Sequence, residues 1–150
     1  RDVLGSRGLG DVYKRQVTHR GTSAALSALI HDEVYAEIIG DGVHVSDDAL
    51  KLFFKAKPED KVILISDALP ITYSDMKETV FADSKIYYDG DKATSADGTI
   101  AGSTKLLPEI IKILGKKGMF KPRFIENTYR YHGLEPMGEI EWDEDFNPRF

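Results

Sequence analysis

Two aspartates and a histidine stand at the points where two apolar runs of the sequence end. Asp41 directly follows the run "YAEIIG", and His44 comes shortly after it. Asp67 directly follows the run "VILIS". Carboxylate and imidazole groups often accept and donate protons in enzymes, and both can bind divalent metals. These residues are therefore the first candidates for a chemical site.

The two apolar runs predict neighbouring parallel strands that would position these side chains. Residues 34–41 and 61–68 have the composition of buried strands. Between them, Ser46 can cap an amphipathic helix, which Pro58 ends. A strand, a helix and a second strand in this order form a βαβ unit, whose strands are parallel. We therefore predict an α/β fold.

Asp41, His44 and Asp67 are expected to share one edge of the predicted sheet, because the carboxyl ends of parallel strands meet on the same side. Each residue also has a simpler interpretation. An aspartate at a strand end often forms a turn, and a histidine near a helix start often lies on the surface. The pattern alone leaves both interpretations open and goes no further than an enzyme-like α/β chain with an Asp/His rim.

Other elements are predicted on either side of this unit. Apolar residues at helical intervals predict a short helix over 22–33. After the second strand, two Asp-Gly pairs, Asp89-Gly90 and Asp97-Gly98, lie between short β-prone runs. Such pairs are typical of hairpin turns, so we predict small hairpins inserted there.

The last third of the chain predicts further helices and a strand. Ser103 is predicted to open a helix that Gly115 closes, and Pro108 marks a restart at the first turn as the alternative to a continuous helix. A helix over 123–134 and a strand over 138–146 follow from the patterns there.

Composition excludes several classes of protein. The 150-residue chain has a formal net charge of -5 and scattered basic residues, so we expect no nucleic acid partner. It has no cysteine, which excludes disulfides, thiolate nucleophiles and zinc–thiolate sites. No apolar run approaches the roughly 20 residues that a membrane span needs. We therefore expect a cytoplasmic protein that does not bind a membrane.

The first residues do not resemble the rest of the chain. Residues 1–16, "RDVLGSRGLGDVYKRQ", show neither helical nor strand periodicity. Their ending "DVYKRQ" looks like translated sequencing-adapter DNA of the kind found at the edges of metagenomic assemblies. We expect this segment to be non-native, and a flexible natural N-terminus is the alternative.

Three motifs, "YAEIIGDGVHV", "VILISDA" and "DGTIAGST", follow one another along the chain. In this order and spacing they resemble N-acetylglucosamine-6-phosphate deacetylases, metal-dependent amidohydrolases with a (β/α)8 TIM barrel. The likeness covers about residues 17–118. It implies the C-terminal part of such a barrel over 17–131, with its last two parallel strands and helices and a hairpin insertion. Residues 132–150 would then be the truncated start of a small β-domain.

The resemblance implies roles for individual residues at both strand ends. Asp67 looks like the family's catalytic acid/base, which takes a proton from the attacking water and then protonates the departing amine. The loop "DGVH" corresponds to the family's substrate-binding loop. Its four residues, Asp41, Gly42, Val43 and His44, are therefore expected to bind substrate.

Two further segments resemble ligand-binding parts of the family. Ile100, Ala101 and Gly102 match a backbone segment that closes over the substrate. Arg20 matches an arginine that binds the sugar phosphate across a dimer interface, which implies a homodimer for the complete enzyme. The family's metal ligands would precede Val17. The complete enzyme would then use a divalent metal, zinc or similar, whereas this chain is expected to retain no metal ligand and to be inactive.

The implied reaction removes the N-acetyl group from N-acetylglucosamine 6-phosphate by hydrolysis, giving glucosamine 6-phosphate and acetate in amino-sugar catabolism. Residues 69–78 depart from the family pattern, which leaves the substrate choice open. One alternative is another barrel amidohydrolase, of the dihydroorotase or adenine-deaminase kind, for which Arg20 and "DGVH" have no obvious use. A second alternative is a non-catalytic α/β binding module.

Overall fold

The computed structural model describes residues 23–149. Our expectations for residues 1–16, for Val17 and for Arg20 lie outside the described residues. Within them the chain forms helices, a parallel strand pair and antiparallel sheets, so the predicted mixed α/β class is confirmed. None of the helices in this range is long and apolar enough to cross a membrane.

A parallel strand pair forms the framework of the candidate site. β1 (Ala36–Ile39) pairs with β2 (Val62–Ile65) in a parallel register that sets Ala36 opposite Val62. Both strands are shorter than predicted, but they lie inside the predicted ranges. The βαβ prediction is therefore confirmed.

Helix α2 (Asp47–Ala56) connects these strands. Its N-cap is Ser46, whose hydroxyl accepts a hydrogen bond from the Ala49 amide. The helix ends before Pro58, with Lys57 as its C-cap. Both predicted boundaries are thus confirmed, and a short 3-10 helix (Glu59–Lys61) leads into β2.

Helix α1 (Ala24–Ile30) lies within the helix predicted over 22–33 and is tied to the end of α2. The Lys57 ammonium group donates hydrogen bonds to the carbonyl oxygens of Ala28 and His31, each at 2.6 Å. These carbonyls stand at the C-terminal end of α1, where they lack helical partners and where a positive charge is favoured. The lysine therefore closes α1 and anchors it.

An antiparallel sheet follows β2, as the hairpin prediction requires. The turns at Asp89-Gly90 and Asp97-Gly98 connect its last three strands, as predicted. After the sheet the chain returns to the parallel pair, where Ala68 and Ser103 form an isolated parallel bridge. In spatial order the four strands are β3 (Glu78–Phe81), β4 (Ser84–Tyr88), β5 (Ala93–Ser95) and β6 (Ile100–Gly102).

Helix α3 (Leu107–Lys116) begins later than predicted. The prediction that Ser103 opens it is wrong, because Ser103 belongs to the extended segment that bridges to Ala68. Pro108 stands in the first turn, so the restarted helix is the correct alternative. Glu109 accepts a hydrogen bond from the Leu106 amide and completes the helix start.

The end of α3 also differs from the prediction. Gly115 does not close the helix, which continues through Lys116 to a C-cap at Lys117. Gly118 takes the left-handed conformation at φ 66° instead, and its amide donates to the Gly115 carbonyl. Gly115 is needed for packing, because a Cβ there would lie 2.5 Å from the ring of Phe146.

Helix α4 (Arg123–Tyr131) confirms the helix predicted over 123–134 and packs against β2. Asn127 is fully buried on it. Its side-chain amide donates to the carbonyl oxygens of Glu59, at 2.9 Å, and Val62, at 2.7 Å. One buried side chain therefore fixes α4 to the start of the second parallel strand.

The strand predicted over 138–146 is mostly wrong. β7 (Glu141–Trp142) is short and pairs with β8 (Pro148–Arg149) in antiparallel orientation. The chain turns between them because the Asp143 carboxylate accepts hydrogen bonds from the amides of Asp145 and Asn147.

Two apolar clusters hold these elements together. The first joins the parallel strands to α2, α3 and α4, and the second lies between the chain after β2 and the antiparallel sheet. The buried members of the first are Leu50, Val62, Leu64, Ile110, Ile111, Leu114 and Phe124. Those of the second are Leu69, Ile71, Ile86 and Ala93.

Candidate active site at the carboxyl ends of the parallel strands

Asp41 is the centre of the candidate site. Its side chain is 2% exposed. Its Oδ1 atom accepts hydrogen bonds from the amides of Val43, at 2.9 Å, and His44, at 3.0 Å. Burial alone would raise the pKa of Asp41, but hydrogen bonds from the ring and amide of His44 and from the Val43 amide hold it well below the usual range. Asp41 is therefore a buried carboxylate that stays ionised at neutral pH.

The imidazole of His44 is bound to the same carboxylate. Its Nδ1 atom lies 2.8 Å from Oδ2 of Asp41, so the neutral ring keeps its proton on Nδ1 and leaves Nε2 as an acceptor. The hydrogen bond to Asp41 raises the pKa of His44 against the opposing effect of burial. The charges of Asp41 and Asp67 raise it further. The ring can therefore carry a proton near neutral pH.

Asp67 stands at the end of the second strand with an exposed side chain. Its backbone has φ 50°, in the left-handed region that aspartate tolerates better than most residues. The carbonyl oxygen of Asp67 accepts a hydrogen bond from the Ser103 amide at 2.9 Å. A strained residue that its neighbours hold in place is a common feature of functional sites.

Ser103 connects the two strand ends, and sequence analysis missed it as a site residue. It is 1% exposed. Its hydroxyl donates to Oδ2 of Asp41 at 2.9 Å, and its carbonyl oxygen accepts from the Leu69 amide at 2.9 Å. The available signal was a hydroxyl residue directly after Gly102 in the motif "DGTIAGST".

The Ser103 hydroxyl is not arranged as a nucleophile. In a Ser-His-Asp triad the serine donates to the imidazole, which can then remove its proton. Here Ser103 and His44 both donate to the carboxylate of Asp41. The arrangement therefore holds an anion in place.

The structure brings Asp41 and His44 together and links them, through Ser103, to the backbone of Asp67. Gly42, between the two loop residues, has φ 76°, a conformation that glycine adopts without strain. The predicted DGVH loop is thus a tight turn around one carboxylate.

The predicted substrate-closing segment forms β6. Ile100 is 37% exposed, and Gly102 is buried. A Cβ at Gly102 would lie 2.8 Å from Cγ of Leu69 and 3.2 Å from the carbonyl oxygen of Asp67. Glycine therefore lets this segment approach the end of the second parallel strand closely.

Within residues 23–149, no three His, Asp or Glu side chains gather closely enough to hold a metal ion. The described residues thus do not form a metal centre by themselves. A cavity of about 360 Å³ lies away from the site and is lined by Lys51, Phe54, Lys55, Lys57, Glu59, Val62, Gly118, Met119, Lys121 and Phe124.

The fold and the site define an α/β protein with ionisable side chains at the carboxyl ends of two adjacent parallel strands. This is the position at which α/β enzymes carry their active sites. The comparisons with known proteins take the identification further.

Curated relatives of the chain are amino-sugar-phosphate deacetylases, although no family model matches it. N-acetylglucosamine-6-phosphate deacetylase of Bacillus subtilis (strain 168) is 38% identical over 87 residues, which are 57% of this chain and 22% of that protein. N-acetylgalactosamine-6-phosphate deacetylase of Shewanella sp. (strain ANA-3) is 29% identical over 101 residues, which are 66% of this chain and 26% of that protein. The chain therefore spans about a quarter of the length of these relatives.

Solved structures of N-acetylglucosamine-6-phosphate deacetylases share the fold. The enzyme of Thermotoga maritima matches with a TM-score of 0.77 at 24% identity, over 89% of this chain and 41% of that chain. A Mycobacterium smegmatis mutant solved in complex with N-acetyl-D-glucosamine-6-phosphate matches with a TM-score of 0.79 at 21% identity, over 90% of this chain and 40% of that chain. The resemblance found in the sequence is thus confirmed: the chain is homologous to a part of these deacetylases.

Proposed function

We propose that the chain is the part of an amino-sugar-phosphate deacetylase that carries the catalytic acid/base and the substrate-binding loop. The reaction is hydrolysis of N-acetylglucosamine 6-phosphate to glucosamine 6-phosphate and acetate, in the cytoplasm. The observation that carries this proposal is the Asp41–His44 pair beside Asp67, in a chain whose curated relatives are deacetylases of this class.

Asp67 is the proposed acid/base. Its exposed carboxylate can accept a proton from an attacking water and return it to the departing amine. The hydrogen bond from the Ser103 amide to the Asp67 carbonyl supports this role, because it holds the strand end in one conformation. An acid/base must stay within hydrogen-bonding distance of the group it serves, and a fixed backbone favours that.

The DGVH loop is the proposed substrate-binding element. The carboxylate of Asp41 is consumed by bonds to Val43, His44 and Ser103, so its role is to orient the imidazole. His44 then presents Nε2 to a polar group of the substrate, either the phosphate or the acetyl carbonyl. Gly42 and Val43 supply backbone that can approach the sugar closely.

Two further contacts with the substrate are proposed. Ile100, Ala101 and Gly102 close over the sugar through their backbone, which the close approach of Gly102 to the Asp67 carbonyl supports. Arg20 binds the phosphate across a homodimer interface. This proposal rests on its place in the motif, because Arg20 lies outside the described residues.

A divalent metal, zinc or similar, is proposed for the complete enzyme, with ligands that precede Val17. When bound, such an ion would supply a Lewis acid to the reaction. The residues described here do not hold it by themselves, and their proposed work is to bind substrate and to move a proton at the Asp67 carboxylate. On this basis the 150-residue chain alone is expected to be inactive.

The proposed architecture is the last part of a (β/α)8 barrel over 17–131, followed by the start of a small β-domain over 132–150. The parallel pair β1–β2 with α2 between its strands supports the first part. The short pair β7–β8 supports the second. Residues 1–16 remain a proposed non-native segment.

A hybrid protein tests the proposed function. In the Bacillus subtilis relative, the segment that matches this chain would be replaced by the corresponding residues of this chain. We expect the hybrid to release acetate from N-acetylglucosamine 6-phosphate and to fail on N-acetylglucosamine, which lacks the phosphate. The galactosamine epimer is the second substrate to assay, because the Shewanella relative is named for it. A soluble, metal-loaded hybrid that releases no acetate from either sugar phosphate would contradict the proposal.

A further inference from the structure

We propose that Ser103 is a positioning residue that holds the Asp41–His44 pair in register with Asp67 and limits how strongly Asp41 attracts the proton of His44. For its catalytic meaning this inference rests on the proposed function, which makes His44 a substrate-binding group. The contacts that carry it concern the described residues alone.

The first argument is that two donors share one acceptor atom. Oδ2 of Asp41 accepts from the Ser103 hydroxyl at 2.9 Å and from Nδ1 of His44 at 2.8 Å. The hydroxyl stabilises the carboxylate without adding positive charge. Because a carboxylate that already accepts hydrogen bonds is less basic, Ser103 weakens its attraction for the imidazolium.

The second argument is that Ser103 also binds the other strand end through its backbone. Its amide donates to the Asp67 carbonyl, and its own carbonyl accepts from the Leu69 amide, each at 2.9 Å. Its hydroxyl reaches Asp41, which is 62 residues away in sequence. One buried residue therefore fixes the distance between the His44 loop and the Asp67 loop.

The charges that face His44 make this balance simple to read. Asp41 on its own loop and Asp67 on the second strand end are the charged groups that act on the ring. Lys105 follows Ser103 closely but binds Asp91 of the hairpin at 3.0 Å. A change in the Ser103 hydroxyl should therefore reach His44 through Asp41.

The test compares two neighbouring hydroxyl residues in the full 150-residue chain. Ser103→Ala removes the donor to Asp41. Thr104→Ala is the matched control, because Thr104 is also buried but donates its hydroxyl to the Asp91 carbonyl of the hairpin. Nuclear magnetic resonance titration of the imidazole gives the pKa of His44 in each variant, and the other histidines serve as internal references.

We expect Ser103→Ala to raise the pKa of His44 further, by roughly half a unit, because Asp41 loses a competing donor. Thr104→Ala should leave it unchanged. In Ser103→Ala the Leu69 amide should also exchange with solvent at least about tenfold faster, because the bridge between the loops is loosened. A purely structural role for Ser103 would not move the pKa of His44.

Ser103→Cys provides a second variant in case Ser103→Ala does not fold. It fills nearly the same space but donates a weaker hydrogen bond, so it should shift the pKa of His44 in the same direction by less. An unchanged or lowered pKa of His44 in the folded variant, or an equal shift in Thr104→Ala, would overturn the proposal. These readouts need no substrate, so their failure is distinguishable from failure of the hybrid protein to release acetate.

Discussion

The hydroxyl of Ser103 lies 2.9 Å from the carboxylate of Asp41, although 62 residues separate the two along the chain. Through this contact the ends of two parallel strands share one buried anion. The loops around that anion carry His44 and Asp67, the side chains with the chemistry expected of the site. The predictions below test this arrangement and the elements that support it.

Replacing Asp41 with asparagine should lower the pKa of His44. Asp41→Asn keeps the shape of the side chain but removes the charge that favours the imidazolium. We expect a fall of roughly one unit, measured by titration of the His44 resonances. Asp47→Asn is the control, because Asp47 is an exposed aspartate whose described partner is Lys117. Equal pKa values in wild type and Asp41→Asn would contradict the role given to this pair.

The same pair should make stability depend on pH. The folded-state pKa of His44 is raised above 6.5, so its contribution is fully present below that value and is lost as pH rises through the folded pKa. The folded-state pKa of Asp41 is depressed below 3.8, so its contribution is present above that value and is lost as pH falls towards the folded pKa. The pair should therefore stabilise most between about pH 4 and 6.5.

Urea unfolding at several pH values measures this effect. Fluorescence of Trp142, the sole tryptophan of the sequence, reports unfolding because its side chain packs against the first apolar cluster. The difference in unfolding free energy between wild type and Asp41→Asn should peak in that interval. A difference that stays constant from pH 4 to pH 8 would argue against the pair as its source.

Gly102→Ala should destabilise the protein by roughly 1–3 kcal/mol, because the added methyl group overpacks a filled space. Its Cβ would lie 2.8 Å from Cγ of Leu69. The cost should be smaller when Gly102→Ala is made in a Leu69→Ala background, which removes the contacting atom. Urea unfolding of both single variants and the double variant gives this coupling. Strict additivity would show that the close approach is not what requires glycine.

Lys57→Met should destabilise helix α1. The variant removes the ammonium group that binds the carbonyls of Ala28 and His31 and leaves them without that partner, at a cost of roughly 1–3 kcal/mol. Lys51→Met is the control on the same helix, where the ammonium group binds Asp48 at the surface and the expected cost is below about 0.5 kcal/mol. Faster amide exchange confined to residues 24–31 would support the assignment, and equal costs in the two variants would contradict it.

Much of the fold was predictable because local signals and tertiary structure agree there. Ser46 caps α2, Pro58 follows its end, and two apolar runs become a parallel pair. The Asp-Gly turns also fall where the hairpins close. In each case a short stretch of sequence contains the residues that set its own conformation.

The errors arose where distant residues decide the structure. Ser103 has the composition of a helix cap, but its hydroxyl and backbone are taken by Asp41 and Asp67. Gly115 has the composition of a helix end, but it is a glycine because Phe146 packs against it. Such contacts join residues far apart in sequence, so local propensity does not reveal them.

The candidate site divides in the same way. The strand-end rule placed Asp41, His44 and Asp67 together, because it depends on topology that the βαβ pattern predicts. It did not reveal the third segment, which enters from the hairpin insertion and contributes Ser103. The roles given to these residues remain predictions.

The central claim is that Asp67 transfers protons in amino-sugar deacetylation. The most direct measurement is acetate release from N-acetylglucosamine 6-phosphate by the hybrid protein with Asp67 and by the same protein with Asp67→Asn. We predict turnover in the first and a loss of at least about 100-fold in kcat in the second, with a smaller change in KM. Equal kcat values in the two proteins would contradict the claim.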